Sequence, residues 1–285
     1  MKYLIIYAHP EPASLTGYLK DRGVAALQAA GHEVIVSDLY AMGWKAVADA
    51  GDFPARAADE ERLDYGKASG VAYAADAQSA DIAEQQRRLL WADMVVLQFP
   101  MWWYGMPAIM KGWIDRVYAL GFAYGVGPHG GPNWGKRFGE GMLEGRRAMV
   151  AMTVGGRMAQ YGPRGVNGAV DDILWPIQHG VLFYPGMAVL PPTIFYEVRQ
   201  ADAAAVEAMA LAYIDRLLSA TTTEPIAFRH QNGGDYDDVQ VLKPDHDSGA
   251  RGHALHQRGP AFISNIWGGQ PGEYTPRHVA PTSRD

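Results

Sequence analysis

The sequence predicts a doubly wound parallel α/β sheet of five strands, and three observations lead there. Short runs of unbroken apolar residues recur along the 285-residue chain, as strands covered on both faces require. Stretches of helical periodicity alternate with them. Glycine and proline punctuate the junctions where helices start and stop.

The first run, residues 2–8, is a buried strand, and Leu15 to Ala30 is a helix that Gly31 ends from the position after its last turn. His32–Leu39 is the second strand. Residues 43–76, rich in Asp, Gly and Ala with little periodicity, read as a long surface excursion. A helix near Ile82–Trp91 leads into the third strand, MVVLQFP. Pro107 opens the next helix at its first position, where a missing N–H costs nothing, and Ile109, Trp113 and Val117 line one face of it. AMVAMTVGG is the fourth strand. The segment DDILWPIQHGVL is a helix kinked at Pro176, with Trp175 assigned to packing; residues 187–195 are the fifth strand and 202–218 the last helix. This alternation specifies a sheet of flavodoxin type.

From Thr221 onward periodicity gives way to Gly, His and Asp. The expected organisation is a flavodoxin-like domain over 1–219 and, over 220–285, an irregular extension packing on the body or on a dimer partner. Asp245, His246, Asp247, His253 and His256 are metal-ligating types, but irregular tails collect such residues by composition, and no metal is expected.

A formal charge of −6 provides no basic stripe for nucleic acid. No stretch reaches the ~20 apolar residues of a membrane span. The absence of cysteine removes disulfides, thiolate metal sites and cysteine nucleophiles, and a cytoplasmic location is expected.

In an open α/β sheet ligands sit beyond the carboxyl ends of the strands, so the loops after strands one, three and four should converge. The first, HPEPASLT, places hydroxyls and backbone donors at a helix start, which suits a phosphate although the turn has no glycine. The second, FPMWWYGMPA, holds Trp102, Trp103 and Tyr104 between two prolines, a wall for a flat ring system. The third brings Gly155 and Gly156, whose backbone can approach a ligand closely, and the phenol of Tyr161. Together they describe a flavin site.

The stretches AHPEPASLTGYL, VSDLYAM, FPMWWYGMPAIMKGWIDRV, GFAY, TVGG and Tyr161–Gly168 with ILWPIQHGVL resemble the flavin-dependent NAD(P)H:quinone oxidoreductases, in order from Met1 to about Phe228. The resemblance implies a homodimer in which FAD, or alternatively FMN, takes a hydride from NAD(P)H and passes two electrons to a quinone, alternately through one site. It puts the flavin phosphates at His9, Ser14, Leu15 and Thr16, with Gln86 nearby. It lays the ring along Pro100, Met101, Trp102, Trp103 and Tyr104, with Thr153, Val154, Gly155, Gly156 and Tyr161 at the other edge. The substrate pocket is implied at Trp103, Tyr104, Tyr124, Val126 and Tyr184, with Tyr124 and Tyr184 closing it from the second subunit.

The resemblance also exposes departures. Relatives pair Tyr161 with a histidine six residues on, whereas this chain has Asn167, which donates a hydrogen bond but holds no titratable proton. Hydrogen bonds from Tyr161 and backbone amides, without a proton relay, are therefore expected to meet the charge on the reduced ring. A basic residue that contacts the adenylate in some relatives has no match in Ala203–Ala205, and Trp102 and Val126 alter the pocket wall. Azo or nitro reduction is a looser form of the same activity. A flavin-binding ancillary subunit of a potassium-efflux transporter is the alternative of another class; a one-electron carrier fits the chain's length and charge poorly.

Overall fold

A computed structural model describes residues 1–55, 62–130, 133–246, 249–250, 252–258 and 265–267. Its first apolar run forms β1 (Lys2–Tyr7), buried from Tyr3 onward, and feeds α1 (Leu15–Ala29). β2 (Glu33–Asp38) follows. Past the excursion come α2 (Tyr65–Ala74), α3 (Ala80–Trp91), the wholly buried β3 (Met94–Pro100) and α4 (Ala108–Val117). A two-residue antiparallel pair, β4 (His129–Gly130) with β5 (Asn133–Trp134), precedes β6 (Arg147–Thr153). α5 (Val170–Trp175) runs into a π-helix over Pro176–Phe183. β7 (Ala188–Val189), β8 (Thr193–Phe195), α6 (Ala203–Leu218) and β9 (Asn265–Trp267) complete the order.

The strands lie in the order β2-β1-β3-β6-β8-β9, with β7 also on β6, and every pairing in this sheet is parallel. Chain order reverses between β1 and β3, which makes the gap above them the switch point where ligands lodge. One face of the sheet is covered by α3, α4, α5 and the π-helix around Leu97, Trp113, Val150 and Leu174. α1 and α6 cover the other, around Ile5, Leu19, Met149 and Tyr213.

Three expectations are corrected. The excursion 43–76 is not all surface: it contains a 3-10 turn at Ala50–Asp52 and α2, and it buries Trp44, Asp52 and Phe53; its residues 56–61 lie outside the described residues. Its anchor is ionic rather than apolar, which hides it from a hydrophobicity pattern. Arg116 of α4 donates to Asp52 at 2.8 and 3.0 Å, to Asp81 at 2.7 Å and to the Lys45 carbonyl at 3.0 Å, while its guanidinium lies 4.7 Å from the Trp44 ring. Pro107 caps α4 from outside instead of opening it. At Pro176, where a kink is expected, the helix changes from α to π. The fifth strand is split, because Pro191 and Pro192 between β7 and β8 have no N–H to give the ladder.

Chain beyond residue 220 runs over the body. Ile226 N–H donates to the Val189 carbonyl (2.8 Å), and Arg229 and Arg258 both hold the buried Asp235 (2.6 and 2.8 Å). Trp175 is stacked between His179 (4.2 Å) and His253 (4.6 Å), so two of the histidines with metal-ligand appearance, His253 and His256, pack around an indole. Asp247, residues 259–264 and residues 268–285 lie outside the described residues. β9 adds a sixth position to the sheet, paired with β8.

Candidate active site

The loop after β1 folds back so that Ser14 caps α1, its hydroxyl accepting from Gly17 N–H at 3.1 Å. Gly17 is the glycine this turn needs, placed one step inside the helix: a Cβ there would lie 2.1 Å from the Pro12 carbonyl oxygen. The amides of Leu15 and Thr16 precede the first helical acceptor and are left to a ligand. The helix start is stapled to the sheet twice. Thr16 and Thr153 hydroxyls meet at 2.8 Å, and Gln98 of β3 donates to the Thr16 carbonyl at 2.9 Å while accepting from Tyr213 at 3.0 Å.

The loop after β3 makes a tight turn. Trp102 and Gly105 exchange both backbone hydrogen bonds (3.0 and 3.1 Å), leaving Trp103 and Tyr104 at φ of +48° and +63°. Such turns normally carry Asn-Gly, so two bulky residues here store strain of about 1–3 kcal/mol each. Trp103 is 97 % exposed.

The loop after β6 supplies the third wall. Gly156 lets Tyr161 lie against the backbone, since a Cβ there would come within 3.1 Å of the phenolic oxygen. Asn167 accepts from the Tyr104 hydroxyl at 3.1 Å, on the same loop as Tyr161. Burial pushes the Tyr161 phenol up, Tyr104 adds to that, and Asn167 opposes both. Behind Tyr161, at 5.4 Å between rings, Tyr196 is buried with no hydrogen-bond partner for its hydroxyl among the described residues; burial raises its pKa further. Burial and the neighbouring Asp172 raise the Asp171 carboxyl to about 6.

These loops enclose a cavity of about 490 Å³ lined by residues 9, 14–16, 100–102, 153 and 155 and by Val198, Arg199 and Gln200. Nine of the expected residues thus meet at one place: His9, Ser14, Leu15, Thr16, Pro100, Met101, Trp102, Thr153 and Gly155. Trp103, Tyr104, Gly156, Tyr161 and Asn167 stand beside it. Others are elsewhere. Gln86 is buried on α3 with its amide bonded to Gln78 and to the Val117 carbonyl (2.9 Å), so it is not available to a phosphate. Val154 belongs to the core, its N–H donating to the Phe195 carbonyl at 2.7 Å. Tyr124, Val126 and Tyr184 do not line this cavity; Tyr184 packs edge-on against Phe138 at 4.8 Å. The sequence reading missed Val198, Arg199 and Gln200 because it counted three loops, whereas the loop after β8 reaches the same edge of the sheet.

Amide donors at one end of a single cavity and an aromatic wall at the other fit a flat ligand bearing phosphate, so a flavin suits these residues. The fold and site together define an α/β protein binding such a ligand at a switch point. The chain belongs to the flavodoxin-like fold family, which matches residues 1–218. It is 45 % identical over 260 residues to the ribosyldihydronicotinamide dehydrogenase-like protein traD of Penicillium crustosum, covering 90 % of this chain and 96 % of that one. It is 38 % identical over 225 residues to the human ribosyldihydronicotinamide dehydrogenase [quinone], covering 79 % and 94 %. A crystal structure of a proposed quinone reductase from Klebsiella pneumoniae superposes with a TM-score of 0.88 at 54 % identity, covering 90 % of this chain and all of that one.

Proposed function

We propose that this chain is a flavin-dependent oxidoreductase that transfers two electrons, as hydride, from a reduced nicotinamide to a quinone through one site used alternately. The single observation that carries this is the convergence of the α1 amides, the Pro100–Trp102 wall and the Tyr161 loop on one cavity, in a chain similar over 79 % of its length to a dehydrogenase whose name specifies quinone. Bound flavin supplies the hydride acceptor and donor; the chain supplies the rest.

His9, Ser14, Leu15 and Thr16 hold the phosphate end, where the α1 dipole favours negative charge. Pro100, Met101 and Trp102 lie along the ring, and Thr153, Gly155 and Gly156 bring backbone to its far edge. Tyr161 donates its phenolic hydrogen where negative charge collects on reduction. Asn167, which accepts from Tyr104 beside that phenol, has no proton of its own to exchange near neutral pH. Trp103, Tyr104, Tyr124, Val126 and Tyr184 form the substrate pocket across a homodimer; the almost complete exposure of Trp103 in one subunit supports a second covering it. FAD is the cofactor and the cytoplasm the location. Among the described residues no helix is long and apolar enough to cross a membrane.

The test is the visible spectrum of the FAD-loaded protein without oxygen. NADH, NADPH or ribosyldihydronicotinamide should bleach the bound flavin, and a simple quinone should restore it. Bound flavin that none of the three donors reduces would point instead to a sensing subunit, and no bound flavin would remove the reading altogether.

A further inference from the structure

Arg199 stands at the rim of the cavity, on the loop between β8 and α6. Its backbone neighbours are fixed: Val198 N–H donates to the Val154 carbonyl (3.3 Å), and Glu197 N–H to the Gly156 carbonyl (3.1 Å). Its side chain passes Gly155, where an added Cβ would lie 3.6 Å from Nε. Among the described residues no carboxylate lies within ion-pair distance of the guanidinium, and the adjacent Glu197 is turned to Arg157 at 3.7 Å. An exposed arginine with no ion-pair partner among the described residues, lining a cavity, is placed for an anion that arrives with the ligand.

The donors at α1 are few. The Thr16 hydroxyl is engaged with Thr153, while the Ser14 hydroxyl, accepting from Gly17 N–H, keeps its own hydrogen to donate beside the amides of Leu15 and Thr16. These donors suit one phosphate. A second phosphate in the same cavity has to find its donors elsewhere, and the fork of Arg199 offers two in the geometry a phosphate accepts. The flavin ring is the weaker claimant for this charge. Arg199 is solvent-exposed, and water screens a rim charge from a ring edge more effectively than it weakens a direct bidentate contact.

We infer that Arg199 is the contact for the second phosphate of a dinucleotide flavin, and so the residue that selects FAD over FMN. This rests on the flavin reading of the cavity. It also accounts for the absence of a basic residue at Ala203–Ala205: here the cation sits on the loop before α6 rather than on the helix.

The experiment is equilibrium titration of the flavin-free full chain with FAD and, separately, with FMN, following quenching of flavin fluorescence. Wild type, Arg199→Ala and Arg199→Lys are compared, with circular dichroism to confirm that each is folded. Losing a charge-assisted contact should weaken FAD binding by roughly 10- to 100-fold in Arg199→Ala, with FMN changed by less than about 3-fold on the same scale. Arg199→Lys, which keeps the charge but not the fork, should fall between. Equal losses for the two flavins, or no loss for FAD, would overturn the assignment while leaving the flavin site standing. Failure of the wild type to bind either flavin would overturn the flavin reading and the assignment with it.

Discussion

The two ends of α4 are built on opposite terms. At its C-terminal end Arg116 is enclosed, with every direction of its guanidinium met by Asp52, Asp81 or the Lys45 carbonyl and its face by Trp44. At its N-terminal end the chain enters through a turn with two bulky left-handed residues, one of them a tryptophan almost wholly in water. Strain of that kind persists where the surroundings over-determine it. The closed end fixes the helix, and the turn between Pro100 and Pro107 then has little choice of path. Stability is concentrated at one end, and the wall of the candidate site stands at the other.

The comparison can be broken most decisively at Arg116. Arg116→Ala leaves Asp52 buried without its principal counter-charge, and urea unfolding should show a loss of about 3–5 kcal/mol. Salt bonds hold the Asp52 carboxyl below the usual carboxylate range despite its burial. A depressed carboxylate stabilises above its unfolded pKa, and that contribution disappears as pH falls through the folded one. Acid unfolding of the wild type should therefore include a step that Asp52→Asn lacks. Tyr161→Phe is the counterpart at the functional end: stopped-flow reduction of bound flavin should slow by about 10²-fold with unfolding unchanged. If it destabilised the fold as much as Arg116→Ala, the division of labour would be wrong.

Asp171 gives the opposite pH sign. Its pKa is raised to about 6, so its favourable contribution is complete below pH ~4 and is lost as pH rises through 6. Asp171→Asn should raise stability by about 1–3 kcal/mol at pH 7.5 and leave it unchanged near pH 4, read from urea curves at both values. The smallest effect belongs to Trp103→Gly. Relief of left-handed strain and added chain entropy oppose each other, so the single chain's stability should move by less than about 1 kcal/mol, while sedimentation should show the proposed dimer weakened.

This contrast also explains what the sequence disclosed. β1, β3 and β6 are apolar runs buried on both faces, and an apolar run is legible residue by residue. The anchor of the excursion is not, because Lys45, Asp52, Asp81 and Arg116 are scattered over some seventy positions and α2 has almost no apolar stripe to announce it. In the candidate site, the residues on loops after β1, β3 and β6 were found from the rule that strand ends gather ligands. Arg199 obeys the same rule and was passed over only because its loop was not counted. Gln86 shows the converse error: nothing in the sequence says that Gln78 and the Val117 carbonyl occupy its amide.

β9 has a consequence of another kind. A sheet that stopped at β8 would present a row of unpaired backbone groups along Thr193–Phe195, a template on which a strand from any other molecule could grow. Asn265–Trp267 occupies that row with the protein's own chain. Shortening the protein before Asn265 would thus leave the cavity residues in place and still create a sticky border, and the damage would appear at high concentration as fibrillar or amorphous self-association rather than as lost turnover.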